Sequence, residues 1–393
     1  MDVIETGLLE RAETTQLPMN KRPISADSHV IEPPRAYRDF IEAKYRDSAP
    51  RIVNDANKGD VYIIEGFPAP VAIGQVAAAG IDPKEMKWAD TRFEDLHKGG
   101  WDPVQRMLDQ DRDGVAGEMI YPSIGMALCA LEDPDYKNAT MWAYNRWLQE
   151  YVAGAPNRLW GVGQTAVRSV AEAVEDFRRI KEMGFKSVML PCNPATDEDY
   201  DHPSFDPLWR AAVELDLPIS FHILTARGKK QPGKASEMPT GERGPAITMW
   251  NGVIRAVQDV IGMFIFGGVF ERHPKLKLVC VEGDAGWVPH FTYRMDHIYN
   301  RHRFWMKCPE MSRLPSEQFA EQVWLTFQDD WTAFRMVHLM NHKRLMWAND
   351  FPHGDATWPW SQELLAKHTA DMDPAVRQDI LRNNVVELYN LGV

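Results

Sequence analysis

A parallel eight-stranded α/β barrel, a (β/α)8 TIM barrel with an insertion after its first strand, is the fold this chain predicts, on three observations. From residue 101 onward short apolar runs alternate with helical patterns, the signature of repeated strand and helix units. Counting Ile24 to His29 as the first, eight such runs occur. Three of them stop at side chains that bind metals: Asp27-Ser28-His29, Pro218-Ile-Ser-Phe-His222 and Arg344-Leu-Met-Trp-Ala-Asn-Asp350. Residues two apart on a strand face the same way, so Asp27 and His29 point together. In a parallel barrel the strand ends converge on one mouth, where barrel enzymes keep their active sites.

The elements follow in order. Trp101 to Arg112 reads as a helix, then Gly117 to Tyr121 as a strand. Asn138 to Gly154 is a helix rich in Trp and Tyr, followed by the strand Leu159 to Gly163. Ser169 to Met183 has helical periodicity, ends at Gly184 as a C-cap should, and leads into the strand Ser187 to Leu190. Phe205 to Leu215 is a helix and Leu217 to Leu224 a strand; Ala246 to Ile261 is helical and Leu276 to Val281 is a strand closing on Glu282. Val288 to Arg303 is a helix, Val323 to Phe327 a strand, Thr332 to Asn341 a helix and Leu345 to Ala348 the last strand, with Pro374 to Asn390 as a closing helix. Residues 33 to 100 carry scattered Pro, Gly, Lys and Asp and a small hairpin around Val61 to Ile64, which does not fit the repeat. They read as an insertion placed to cap the mouth of a catalytic barrel spanning 21 to 393, with residues 1 to 20 as a peripheral arm.

Composition narrows the function. Hydrophobic residues at 44% and charged residues at 25% describe a globular protein with ample core material. A net charge of -12, with no basic stripe beyond the Lys229-Lys230 doublet, argues against a nucleic-acid-coating protein. Cys129, Cys192, Cys280 and Cys308 lack zinc-ribbon spacing and read as reduced thiols of a cytoplasmic protein. The first twenty residues carry Asp2, Glu5, Glu10 and Glu13 without a long apolar stretch, unlike a secretory signal. The most apolar segment, Val260 to Phe270, is too short to span a bilayer and fits a buried helix end.

Imidazoles and carboxylates are ligands of Zn, Mn and Fe, and Asp27, His29, His222 and Asp350 supply such a set. Singly, each has a structural explanation, as a helix cap or a satisfied core histidine; their joint placement at strand ends favours a metal. Ala26-Asp-Ser-His-Val-Ile-Glu-Pro33, Phe205-Asp-Pro-Leu-Trp209, Pro218-Ile-Ser-Phe-His222, Phe270-Glu-Arg-His-Pro-Lys-Leu-Lys277 and Asn349-Asp-Phe-Pro-His353 together resemble the amidohydrolase-related family of the amidohydrolase superfamily, which includes aminocarboxymuconate-semialdehyde decarboxylase and resorcylate-type decarboxylases. The resemblance covers roughly residues 21 to 393 and implies a metal-bearing barrel with ligands at the ends of strands 1, 5 and 8, matching Asp27, His29, His222 and Asp350.

This chain departs from the family pattern in three places. Asp27 replaces the first histidine of a His-x-His pair, and Glu282 stands where the decarboxylases end strand 6 in a histidine. Both exchange nitrogen for oxygen, which makes Mn or Fe as plausible as Zn. Strand 4 ends Met189-Leu190-Pro191 without the lysine that bridges dinuclear sites, so one metal is expected rather than two.

Glu282 reads equally as a ligand or as the orienter of a ligating histidine. His353 reads as a contact to substrate or a second metal, or as a loop cap. Trp287 and Trp347, with Trp250, are candidates to line an aromatic pocket, whereas Trp142 and Trp147 read as core. His202 and Asp206 read as helix caps and His273 as structural.

The resulting expectation is metal-dependent cleavage of a C-N or C-C bond in a small cyclic or aromatic molecule, with Asp350, His222 and Glu282 as catalytic groups. Activated water or metal-assisted decarboxylation would serve, the latter needing a cation from among Arg227, Arg255 and Arg303. The same ligands also suit a non-haem iron or Mn/Fe oxygenase, and the acidic replacements leave open a catalytically silent partner subunit. No nucleic-acid or membrane partner is expected, and the resemblance implies a dimer of identical or related subunits.

Overall fold

The computed structural model describes residues 17–87, 89–226 and 250–393. Residues 1 to 16 of the expected arm, Arg227, the Lys229-Lys230 doublet and the expected helix start at Ala246 lie outside them. Among the described residues, no helix is long and apolar enough to cross a membrane.

Eight parallel strands form the barrel: β1 (Ile24–His29), then, after three strands of the insertion, β5 (Gly117–Tyr121), β6 (Leu159–Gln164), β7 (Ser187–Met189), β8 (Ile219–His222), β9 (Leu278–Val281), β10 (Val323–Phe327) and β11 (Leu345–Trp347). Each hydrogen-bonds its sequence neighbour, as repeated strand–helix units require. The eighth seam, between β1 and β11, is closed at the mouth. There the Asp350 N–H donates to the Asp27 carbonyl at 3.1 Å and the His29 N–H to the Phe351 carbonyl at 2.7 Å. The β1 register against β5 shifts between Ser25 and Ser28, a bulge that re-aims the strand beside Asp27.

Alternation sets what faces inward. On β8, Phe221 packs outward against Tyr200 and Phe264, with ring centroids 5.5 and 5.7 Å away, so Ser220 and His222 face the interior. Truncating such a buried aromatic costs about 3–5 kcal/mol, which fixes the register and hence where His222 points. The helices are capped as the sequence suggests. Asp102 accepts from the N–H groups of Val104 and Gln105 and Gly114 takes the left-handed C-cap, so the first barrel helix is Pro103–Asp113 rather than Trp101 to Arg112.

Three later helices differ most from expectation. The helix before β9 is Arg255–Phe266, running on through the apolar stretch. The helix after β10 stops at Arg335, and a 3-10 turn over Val337–Leu339 replaces its second half. The closing helix is interrupted by a π-helical turn over Asp379–Asn383.

The insertion holds a three-stranded antiparallel sheet, β2 (Arg51–Asp55), β3 (Gly59–Ile63) and β4 (Val71–Ala72), where a two-stranded hairpin was expected. Its return leg reaches the loop after β11. The Ala79 N–H donates to the Pro352 carbonyl at 3.0 Å, and Ala79 packs with Phe351 and Trp358. Gly100 sits so close to Ile31 that a Cβ there would lie 2.6 Å from the Ile31 side chain.

Candidate metal centre

Asp27 and His29 on β1, His222 at the end of β8, Glu282 just past β9 and Asp350 just past β11 meet at the mouth. His29 Nε2 lies 3.3 Å from His222 Nε2, 3.4 Å from Asp27 Oδ1, 3.3 Å from Asp350 Oδ1 and 3.8 Å from Glu282 Oε2. His222 Nε2 lies 3.2 Å from Glu282 Oε2 and 3.8 Å from Asp27 Oδ1. Metal–ligand bonds of about 2.0–2.2 Å place neighbouring ligand atoms roughly 3–3.5 Å apart, so these spacings fit atoms arranged around one small cation.

The hydrogen bonds around the site fix which atoms face inward. His29 Nδ1 is 2.8 Å from the Pro122 carbonyl and His222 Nδ1 is 2.9 Å from that of Ile223; a carbonyl only accepts, so each Nδ1 carries the proton. Both Nε2 lone pairs therefore face the centre and each other, an arrangement a cation stabilises. Asp27 Oδ1, Glu282 Oε2 and both Asp350 carboxylate oxygens are buried and find no hydrogen-bond partner among the described residues. Orphaned carboxylate oxygens facing imidazole lone pairs are a donor set that could hold a divalent metal.

Charge crowding shifts the proton affinities of these groups. Burial, with Asp350 next, raises the Glu282 carboxyl well above the usual range, and burial, with Asp27 and Asp355, does the same to Asp350. Burial would raise Asp27 as well, but the His222 and His29 imidazoles beside it outweigh burial and hold that group low. Burial and the neighbouring His353 depress His29 to about 3.

Glu282 and Asp350 share a left-handed backbone, both with φ 55. Few non-glycine residues adopt it, and here it turns each carboxylate into the mouth immediately after its strand.

Two overlapping quartets of ligand atoms, each within 4.8 Å of one another, are formed: Asp27, His29, His222 and Glu282, and His29, Glu282, Asp350 and His353. Asp350 thus stands beside His353 rather than in the quartet with Asp27 and His222. His353 stacks on His29 with centroids 3.9 Å apart, and its Nε2 is 2.9 Å from Ser123 Oγ.

The remaining candidates separate. Trp347 is 1% exposed and belongs to the core, and Trp287 is half-buried with its indole N–H donating to the Gly283 carbonyl at 2.7 Å. Trp250 is exposed, while Trp142 and Trp147 are core residues as expected. His202 caps its turn through the Ser204 N–H; Asp206 instead pairs with Arg272 and His273, at 2.9 and 3.0 Å. Arg303 is removed from the mouth: it follows Val288–His302, which runs back from β9 for 15 residues, and its guanidinium binds the Tyr299 hydroxyl at 2.9 Å. Arg255 stays on the mouth side, at the start of its helix.

Sequence reading missed Arg106, Glu118, Ser123 and Asn349, all buried behind or beside the ligands. Their signal was polar side chains at positions that bury: Arg106, Gln110 and Asp113 recur at helical spacing on the inner face of one helix.

The amidohydrolase family pattern matches residues 88–391. Over 305 residues, 76% of this chain and 79% of the relative, the chain is 22% identical to 2-amino-3-carboxymuconate-6-semialdehyde decarboxylase of Dictyostelium discoideum. Its fold is similar to that of amidohydrolase map2389c from Mycobacterium avium subsp. paratuberculosis, with TM-score 0.75, 20% identity and coverage of 94% of this chain and 99% of that one. It is also similar to that of a 5-carboxyvanillate decarboxylase from Novosphingobium aromaticivorans, solved with bound manganese and 3-methoxy-4-hydroxy-5-nitrobenzoic acid, with TM-score 0.66, 17% identity and coverage of 95% and 98%. The pattern spans most of the chain and the barrel carries a cation-shaped cluster at the expected strand ends, so this protein belongs to the amidohydrolase family.

Proposed function

We propose that this protein is a metal-dependent carboxy-lyase that removes carbon dioxide, without oxidation, from a small aromatic or otherwise unsaturated carboxylic acid. The observation that carries the reading is the convergence of two imidazole lone pairs and three orphaned carboxylates at the barrel mouth. The decarboxylases among its relatives support it over the oxygenase and hydrolytic readings.

One ion is proposed, because both quartets draw on His29. Its Nδ1 is committed to the Pro122 carbonyl, and the single remaining lone pair serves one cation. Asp27, His29, His222 and Glu282 would hold it, leaving Asp350 beside His353 for proton transfer. The oxygen-rich set suits manganese, the metal bound in the carboxyvanillate decarboxylase structure, as well as iron or zinc. Such an ion would supply Lewis acidity, stabilising negative charge that develops on the substrate.

Asp350, as the acid, delivers its proton to the carbon that bears the carboxylate. The bond to that carboxylate then breaks, its electron pair returns to the substrate framework, carbon dioxide leaves, and Asp350 regains a proton from solvent. Arg255, at the start of its helix, is the residue proposed to meet the departing carboxylate, and the segment whose Ala79 N–H binds the Pro352 carbonyl would help to exclude water.

The test is carbon dioxide release from a panel of hydroxylated benzoates by manganese-loaded protein. Metal-dependent release is expected, and Asp350→Asn should abolish it while retaining metal. Loaded protein that hydrolyses amides or lactones but releases no carbon dioxide from any carboxylic acid would overturn the proposal.

A further inference from the structure

The helix Pro103–Asp113 is packed inside out. It buries Arg106, Gln110 and Asp113 while Val104 and Leu108 stand 67% and 59% exposed. A surface helix ordinarily does the reverse, so its stability is being exchanged for what those polar groups do.

What they do is hold the seam that carries the metal ligands. Arg106, fully buried, donates from Nη1 to the His29 carbonyl at 2.8 Å and to that of Gly99 at 3.3 Å, and from Nη2 to the Phe351 carbonyl at 3.3 Å. Its guanidinium lies 4.6 Å from the centre of the Phe351 ring. His29 is a ligand and Phe351 follows Asp350, so one rigid fork fixes both sides of the seam that lacks a regular ladder.

The Arg106 charge is met by Glu118 on β5, whose Oε2 accepts from Arg106 Nε at 2.5 Å and from Gln110 at 2.6 Å. The residues that alternate with the ligands complete the brace. Ser28, between Asp27 and His29, donates to Asn349 Oδ1 at 2.8 Å, and Asn349, next to Asp350, donates to Asp113 Oδ2 at 3.1 Å. Asp113 in turn accepts from the N–H and hydroxyl of Ser361. Inward side chains face the cation site, and their outward neighbours are tied to one another.

We infer that Arg106 is a positioning residue for the metal centre, acting through the Glu118, Ser28, Asn349 and Asp113 network to hold β1 and the loop after β11 at ligand spacing. This rests on the reading that Asp27, His29, His222 and Glu282 bind a cation. A hydrophobic helix face would have closed the barrel more simply; the polar one fixes two particular backbone carbonyls. Lysine keeps the charge but presents three donors from a single nitrogen, and it cannot reproduce the planar fork.

The test uses the full chain, stripped of metal and titrated with Mn2+ alone. Affinity is read by competition with a chromogenic chelator and site symmetry from the Mn2+ paramagnetic resonance spectrum, with circular dichroism confirming the fold. Arg106→Lys should bind Mn2+ about 10–100-fold more weakly, the usual effect of losing an outer support of a metal ligand, with a broadened spectrum. Ser28→Ala, a smaller change, should shift both in the same direction. A wild-type chain that does not bind Mn2+ removes the metal reading itself. A wild-type chain that binds, beside a folded Arg106→Lys with unchanged affinity and spectrum, overturns the inference. If Arg106→Lys does not fold, Ser28→Ala decides by the same two readouts.

Discussion

His353 Nδ1 stands 3.2 Å from Asp350 Oδ1, and the other side of the ring determines what that contact is. Ser123 Oγ donates its one proton to the Val30 carbonyl at 2.7 Å, so it can only accept from His353 Nε2. The neutral ring then presents a bare Nδ1 lone pair to a carboxylate oxygen, and the contact is attractive only with a proton between them. His353 thereby supplies an imidazole beside Asp350 in a site where β9 leads into Glu282 instead of histidine.

His353→Phe keeps the stack on His29 but removes both ring nitrogens. With Asp350 as the acid, kcat should fall by about 10²–10³, within the range for an impaired acid–base group. Manganese content should stay near wild type, because Asp27, His29, His222 and Glu282 are untouched. Steady-state kinetics and metal analysis on one preparation check it; loss of metal in step with activity would make His353 a ligand instead.

His222→Ala removes one of the two inward-facing lone pairs without touching the packing that sets the β8 register, which Phe221 supplies on the opposite face. Tight metal binding should be lost, by more than about 100-fold, while circular dichroism and the thermal midpoint of the metal-free protein remain near wild type. Full metal occupancy in that variant would remove His222 from the ligand set.

The barrel and the placement of Asp27, His29, His222, Glu282 and Asp350 were legible because strand alternation and strand ends are local properties. Phe221 beside His222 states in two letters which side faces in. The division into two quartets was not legible, since it depends on where a bulge between Ser25 and Ser28 and two left-handed residues aim the carboxylates. Arg303 misled because a helix carries its far end to the opposite side of the barrel, a distance that sequence proximity to β9 does not convey. Arg106 was passed over because one arginine in an otherwise ordinary helix looks solvated until the exposure of Val104 and Leu108 reveals which face is in.

Glu282 offers a test of strain and charge together. Asn tolerates a left-handed backbone and lacks the charge, so Glu282→Asn should relieve the crowding of Glu282 against Asp350 in the metal-free protein. Removing a buried unpaired carboxylate is expected to stabilise the metal-free form by on the order of 1–2 kcal/mol. Saturating manganese should then raise the melting temperature of the variant less than that of wild type, because the stabilisation scales with the logarithm of ligand concentration over Kd. Melts with chelator and with manganese measure both effects, and a variant less stable than wild type without metal would contradict the crowding argument.

Asp113 predicts a pH dependence away from the ligands. Burial pushes its carboxyl up to about 7, against the lowering pull of hydrogen bonds from Ser361 and Asn349. A group that binds its proton more tightly folded than unfolded stabilises the fold while protonated, so this contribution is present near pH 4 and is lost as pH rises toward 7. Each tenfold difference in proton affinity between the folded and unfolded chain corresponds to about 1.4 kcal/mol, so the change across that window is on the order of a few kcal/mol. Asp113→Asn cannot titrate and should lose less stability between those pH values than wild type, whatever its absolute stability. Urea unfolding of both metal-free proteins at intervals from pH 4.5 to 7.5 measures the difference in slope. Parallel curves would mean that Asp113 keeps its charge in the folded protein, held by the hydrogen bonds from Ser361 and Asn349.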